Sequence, residues 1–388
     1  MNQTNRMLAG GLLTVLVAFG ISRFVYTPLL PLMQAEHGLP LTFFGSLAGL
    51  NLGGYLVGSL LALLCARGRA RLWGFRAGVL VSVLTTLAMG LTDDPAAWQA
   101  IRVLSGAGNA FALICCTGIV SDALARIGDD ARVGWLFCGM GAGIAASGLL
   151  VPQAARWMDS AAIWVVAGAI SVAAVPVILS GVRDADLPRR EGRRPPRHLP
   201  QVFPFWPLFF TYSIGGIGFA AFATFVVAII KARPGLEGVA DWVWIVVGLF
   251  AVPSGLWAGA IAKRIGYARA LLLNYVMQTT AILLPVASDA GWVALLAAAI
   301  FGTTFMATPF LVAALGRHGL GGRGFGALTF GGGVGQAAGP LLLGLFGGGV
   351  AAYREVLLAS GLLTVVAMGI LTGGMVLARL RPVAAPAQ

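Results

Sequence analysis

The sequence predicts an all-α membrane protein of twelve transmembrane helices in two six-helix bundles, and three observations carry that reading. Of 388 residues, 58% are hydrophobic and only 10% are charged, against about 25% charged in a soluble domain. The mean hydropathy is +0.88, and the apolar residues fall in runs near the ~20 residues that a helix needs to cross the hydrocarbon core. Lys and Arg gather in alternate connections between those runs, the asymmetry that orients membrane proteins. Together these features exclude a soluble enzyme, a secreted disulfide scaffold and a disordered chain.

Twelve runs have the required length: residues 8–33, 41–65, 72–92, 96–121, 132–152, 160–182, 203–230, 241–262, 268–288, 291–315, 325–348 and 355–378. The first follows Arg6 in the manner of a secretory leader. It is too long for a leader's apolar core and no small-residue cleavage site precedes the next run, so it reads as a retained first helix. The eleventh contains Gly331, Gly332 and Gly333, a poor helix in water but tolerated in a membrane bundle.

Twenty of the 26 basic residues lie in one alternate set of connections, from Arg6 through the Arg67–Arg76 group to Arg379 and Arg381. The opposite set holds only Arg156, Lys231, Arg233 and Arg354. This places both termini in the cytoplasm. The net charge of +12 is therefore loop charge facing anionic lipid, not a nucleic-acid-binding face. Cys65, Cys115, Cys116 and Cys138 lie within or at the ends of apolar runs without metal-site spacing. They read as packing residues, and no metal or cofactor is expected.

The longest polar stretch, 183–201, contains Pro188, Pro195, Pro196 and Pro200 and reads as an irregular cytoplasmic linker. It divides the chain into an N-terminal bundle (1–182) and a C-terminal bundle (202–388). The halves echo each other. Gly58 and the Arg67–Arg71 stretch follow the second run, and Gly259, Lys263, Arg264, Gly266 and Arg269 follow the eighth. Gly139, Gly141 and Gly143 in the fifth run match Gly335, Gly339 and Pro340 in the eleventh, small residues that let helices approach closely. Six plus six with a basic central loop is the layout of a two-bundle transporter.

At these positions the sequence resembles the major facilitator superfamily over essentially its whole length. Gly259 to Ala270 resembles that family's loop signature, with Lys263 where an acid usually stands, and the first-half copy also lacks the acid. Arg102-Val103-Leu104-Ser105-Gly106-Ala107-Gly108 resembles its fourth-span signature. Arg23 to Met33, followed by Asn51 to Leu56, is similar to the bacterial YbfB/YjiJ-type branch. The resemblance implies a multi-pass permease of the bacterial inner membrane, monomeric, with helices 1, 4, 7 and 10 around a central cavity.

Two basic residues, Arg23 and Arg102, lie inside runs, while every acid lies in or beside a connection, Asp122 coming nearest to being embedded. A charge at membrane depth costs about 2.5–3.5 kcal/mol on insertion scales and marks function by default. Two embedded cations without an embedded anion predict an electropositive cavity facing a small, anionic or carboxylate-bearing solute, which a guanidinium grips with its two-pronged fork. The alternative is that each arginine binds free backbone carbonyls and holds the bundle together.

His37, His198 and His318 all lie in connections, so no Asp/Glu/His proton relay is visible in the spans. Exchange, uniport and protonation of the solute itself remain open as energy sources. Tyr26, Asn51, Asn109, Tyr212, Asn274, Gln278 and Gln336 are further candidates for solute contact or for interhelical bonds. Pro28 and Pro31 are expected to kink helix 1. Gly106, Gly139, Gly143, Gly259, Arg264, Gly266, Gly339 and Pro340 are expected in gating or packing. A membrane enzyme lacks a nucleophile–base pair or paired carboxylates here. An exporter of drugs or other amphipathic compounds, and a receptor or scaffold on a transporter fold, are the alternatives.

Overall fold

The computed structural model describes residues 3–65, 68–183, 203–317, 321–344 and 350–380; the side chains of residues 65, 130–131, 317, 321–326, 343–344 and 350–353 are outside that description. The linker beyond residue 183, Arg67, His198, His318 and Arg381 thus lie outside the described residues, as do the side chains of Arg317 and Arg323.

The described residues are helical throughout their long elements, with turns between them. The first run is α1 (Gln3–Val15), a π-helical segment (Leu16–Ile21), a turn over 22–25 and α2 (Tyr26–His37). There follow α3 (Leu41–Cys65), α4 (Arg69–Ala88), α5 (Pro95–Arg126), α6 (Gly134–Ala154) and α7 (Ser160–Gly181). The second half holds α8 (Phe205–Lys231), α9 (Glu237–Ala251), α10 (Ser254–Ile265), α11 (Tyr267–Ala287), α12 (Gly291–Phe305), α13 (Ala307–Arg317), α14 (Gly321–Gly344) and α15 (Val350–Leu380).

By length and apolarity nine of these helical stretches can cross a membrane. The number is ten when α9 and α10, bent by 48° at their junction, count as one span. α4 and α14 cover two further predicted runs. They are helical but less apolar, α4 because Arg69, Arg71 and Arg76 occupy its first two turns and α14 because it is rich in glycine.

The helix starts follow local chemistry. Asp94 caps α5, accepting from the backbone N–H of Ala96 and Ala97, with Pro95 at the first helical position. Asp159 caps α7 by accepting from Ala162 N–H. Beside it, the Glu36 carboxylate accepts from both the backbone N–H and the hydroxyl of Ser160, tying the end of α2 to the start of α7. Gly266 turns the chain from α10 into α11 at φ +86°, a left-handed conformation open to glycine.

Within the first half α5 packs on α3 and α4, α4 on α7, and α1 on α6 and α7. Within the second, α8 packs on α14 and α15, α15 on α11, and α12 on α9 and α11. The halves meet through α6 on α9, α3 on α14, and α2 on α8. Glycines set the close crossings. A Cβ at Gly106 would stand 1.9 Å from Asn51 O, one at Gly139 2.2 Å from Leu12 O, one at Gly143 2.4 Å from Gly20 Cα, and one at Gly339 2.3 Å from Ile217 O. Gly259 is different, since its Cβ would meet Phe310 at an ordinary 3.4 Å.

α6 and α9 run antiparallel, Gly141 against Val252 and Gly148 against Ile245. This puts the starts of α1 and α8 at one end of the bundle, here called the terminal end. Trp73, Trp206, Trp242, Trp257 and Trp292 are exposed on the outer surface, as expected of tryptophans anchoring in a membrane interface.

Candidate functional site

Three of the helical runs are interrupted, and two of the interruptions, at Arg23–Phe24 and at Met306, line one cavity. In the first run, the π-helical segment and the turn over 22–25 come just before Pro28. Proline cannot donate to the carbonyl four residues back, which is Phe24 O. That carbonyl accepts from Thr27 N–H at 3.3 Å and from Trp244 Nε1 of α9 at 3.2 Å. The expected kink of helix 1 thus lies upstream of Pro28 and Pro31, which themselves sit within regular α2. The second break lies between α9 and α10 at Pro253, and the third at Met306 between α12 and α13. These two are pinned together, because Met306 N–H donates to Ser254 Oγ at 3.1 Å.

The cavity has a volume of about 150 Å³. Arg23, on the turn in the first run, reaches into it. So do Tyr55 of α3, Tyr212 of α8, Gln278 of α11, Thr308 of α13 and Gln336 of α14. The remaining wall is mainly apolar, with Phe19, Phe24, Phe137, Phe219 and Phe305 and two methionines, Met140 and Met306. Arg23 is the one charged side chain in the lining among the described residues. Its Nη2 donates to Gln336 Oε1 at 3.3 Å, a bond between the two halves. Its guanidinium carbon lies 5.0 Å from the Phe24 ring centre, 5.5 Å from Phe19 and 5.7 Å from Tyr55, a cation–π enclosure. It forms no ion pair with an acid among the described residues.

The far end of the cavity is closed. On α8 the lining residues stop at Phe219, and every residue from Ala220 to Ile230 is buried. Phe24 and Phe219 each pack edge-on against Phe305, at 5.3 and 4.9 Å between ring centres. Thr27 Oγ1 donates to Ala223 O at 3.1 Å across the halves. On α6 the wall residues Phe137 and Met140 lie in the terminal-end turns of the helix, while on α14 they run from Thr329 to Gln336, across its middle.

The structure separates the two embedded arginines. Arg102 is 2% exposed and does not line the main cavity. Its Nε donates to Leu47 O and its Nη1 to Ser22 O, both at 3.4 Å, and its guanidinium carbon lies 4.7 Å from the Tyr26 ring centre. The Ser22 carbonyl lies in the interrupted turn of the first run, where Arg102 serves it. Tyr26 and Asn51 share this neighbourhood: Tyr26 OH donates to Phe44 O at 2.7 Å and Asn51 Nδ2 to Arg102 O at 3.1 Å. A small void of about 30 Å³ separates this group from Arg23. Asn109 is deeper in the first half, accepting from Ser82 Oγ at 2.7 Å. Asn274 donates to Thr308 Oγ1 at 2.7 Å.

Arg264 is exposed in the last turn of α10, where a cation suits the helix dipole. Asp122 pairs with Arg71 at 2.7 Å, its side chain 58% exposed, so it is not an embedded acid. Cys115, Cys116 and Cys138 are free and buried.

Tyr55, Thr308 and the phenylalanines are cavity residues beyond the sequence candidates. Tyr55 had a signal, standing one helical turn after Asn51. The phenylalanines had none, because a cavity-facing and a lipid-facing Phe look alike in sequence.

Helices broken beside a chamber between two packed halves form the architecture of secondary transporters, and the solved structures that the chain aligns with are transporters. The chain aligns with a crystal structure of a mutant of the nucleoside transporter NupG at TM-score 0.76 and 12% identity, covering 96% of this chain and 100% of that one. A bacterial homologue of the human lysosomal transporter Spinster, inward-facing and occupied, aligns at TM-score 0.72 and 15% identity, covering 98% of each chain. At such identities the likeness is one of fold. No curated protein matches the chain in sequence. The family model described as "Uncharacterised MFS-type transporter YbfB" matches residues 15–372. The chain belongs to that family: it is a major facilitator superfamily transporter and not an enzyme.

Proposed function

We propose that the protein carries a small anionic or carboxylate-bearing organic solute across the bacterial inner membrane by alternating access at the central cavity. In this reading it is a monomer of twelve crossing helices, divided at the 183–201 linker, with both termini in the cytoplasm. The observation that carries the anion assignment is Arg23. It is the single charge of the lining and has no acidic partner among the described residues, so a carboxylate completes its fork. Tyr212 and Gln336 stand beside it as solute contacts. Arg102, Tyr26, Asn51 and Asn109 support the helices that present it. The closed far end supports a conformation open toward the cytoplasm.

A thermal-shift series on the detergent-purified protein tests this against organic anions, zwitterions and lipophilic cations. A specific ligand stabilises by about 2.7 kcal/mol at a hundred times its Kd. Carboxylates are expected to stabilise the wild type and to lose that effect in a folded Arg23→Ala protein. The phenylalanine-rich wall favours a second reading, an exporter of amphipathic compounds. Stabilisation by lipophilic cations that persists in Arg23→Ala would establish that reading and sink the first.

A further inference from the structure

The Gln278 side chain is 1% exposed and lines the cavity, and its Oε1 has no hydrogen-bond partner. Its neighbours are satisfied: Asn274 bonds to Thr308, and Thr279 Oγ1 to Thr364 Oγ1 at 2.8 Å. A buried amide without a partner is destabilising, and an arriving hydrogen-bond donor removes that penalty. Gln278 belongs to the second half of the chain, and Arg23 to the first. The lining includes Phe19, Phe24, Phe219 and Phe305.

These features restrict the solute. One guanidinium, with no second cation in the lining among the described residues, neutralises one negative charge; a dianion would bring an unpaired charge against apolar walls. No acid among the described residues lines the cavity, so an ammonium group would also go unpaired. A sugar-like body would leave several hydroxyls facing phenylalanine rings. Resting on the anion reading of Arg23, we infer that the substrate class is a monoanionic carboxylate with an aromatic or branched apolar body. It carries a hydroxyl or N–H donor away from the carboxylate. The carboxylate goes to Arg23, the body lies among the phenylalanine rings, and the donor goes to Gln278.

The test measures Kd by calorimetry on the full-length detergent-purified protein. The probes are phenylacetate, its three ring-hydroxylated isomers and the three methyl analogues of the same size, with phenylsuccinate, phenylalanine and uridine as contrasts. At least one hydroxyl isomer is expected to bind about tenfold tighter than its methyl analogue, the size of one net hydrogen bond closing an unsatisfied group. Phenylsuccinate and phenylalanine are expected to bind about tenfold or more weaker than phenylacetate. In Gln278→Leu the hydroxyl preference, taken as the ratio of the two Kd values, should fall to about twofold or less; Gln278→Met is the replacement if the leucine variant does not fold. The wild-type ranking tests the class without any variant.

If no hydroxyl isomer beats its methyl analogue, or if the preference persists in the Gln278 variants, the inference is overturned. Carboxylate binding that still depends on Arg23 would in that case leave the anion reading standing. If the carboxylates do not bind and uridine does, both readings fall.

Discussion

Arg23 and Arg102 are the two basic residues embedded in the apolar runs, and their surroundings differ in kind. Arg102 is turned into backbone: two carbonyls from two helices, a tyrosine ring beneath it, and no opening to the main cavity. Arg23 sits at the edge of space, with one protein hydrogen bond, three aromatic rings and the cavity in front of it. The same side chain in the same membrane therefore serves two ends. Where broken helix leaves carbonyls unpaired, a guanidinium fork closes them. Where the fork is left open, it is available to a solute.

The sharpest way to break this comparison is Arg102→Ala. Removing this charged donor leaves Ser22 O unserved and takes a second donor from Leu47 O, and a loss of about 3 kcal/mol is expected, read as a fall in unfolding temperature. Arg102→Lys should not restore it, because an ammonium cannot reproduce the fork. Unchanged stability with lost solute binding would invert the assignment of the two arginines. Arg23→Ala is expected to do the opposite, leaving ligand-free stability nearly unchanged. Carboxylate affinity should fall about 30-fold, equivalent to about 2 kcal/mol for a charge-assisted bond.

A smaller effect is expected at the far-end seal that holds the segment beside Arg23. Trp244→Phe removes one of the two donors to Phe24 O, worth about 1 kcal/mol. It should raise labelling of a Thr27→Cys reporter from the far side about fivefold. Equal labelling in both backgrounds would remove Trp244 from the seal. The smallest effect should come from Asp122→Asn, which breaks the half-exposed pair with Arg71. Less than about 1 kcal/mol is expected, and a larger fall would show that pairs at the terminal end also carry stability.

Helices, their order and the presence of two embedded arginines were legible in the sequence, because length, apolarity and charge are properties of each segment alone. The glycines at 106, 139, 143 and 339 were legible as packing residues for a related reason: no other side chain permits backbones so close. The breaks at Leu16–Ile21 and at Met306 were harder to foresee. Pro28 announced a disturbance, but the π-helical segment and the interrupted turn lie upstream of it, toward Leu16. Gln278 appeared as one polar residue among several in the spans. Its lack of a partner emerges only once Asn274, Thr279 and Thr308 have paired elsewhere.

The sequence by itself determined that this chain is an all-helical membrane protein with an excess of embedded positive charge, since every step of that inference is local or compositional. Only the tertiary structure decided which arginine meets the cavity and which meets backbone. That choice depends on where helix 1 breaks and on which carbonyls the break leaves open to a neighbouring helix, and neither is encoded in the arginines themselves.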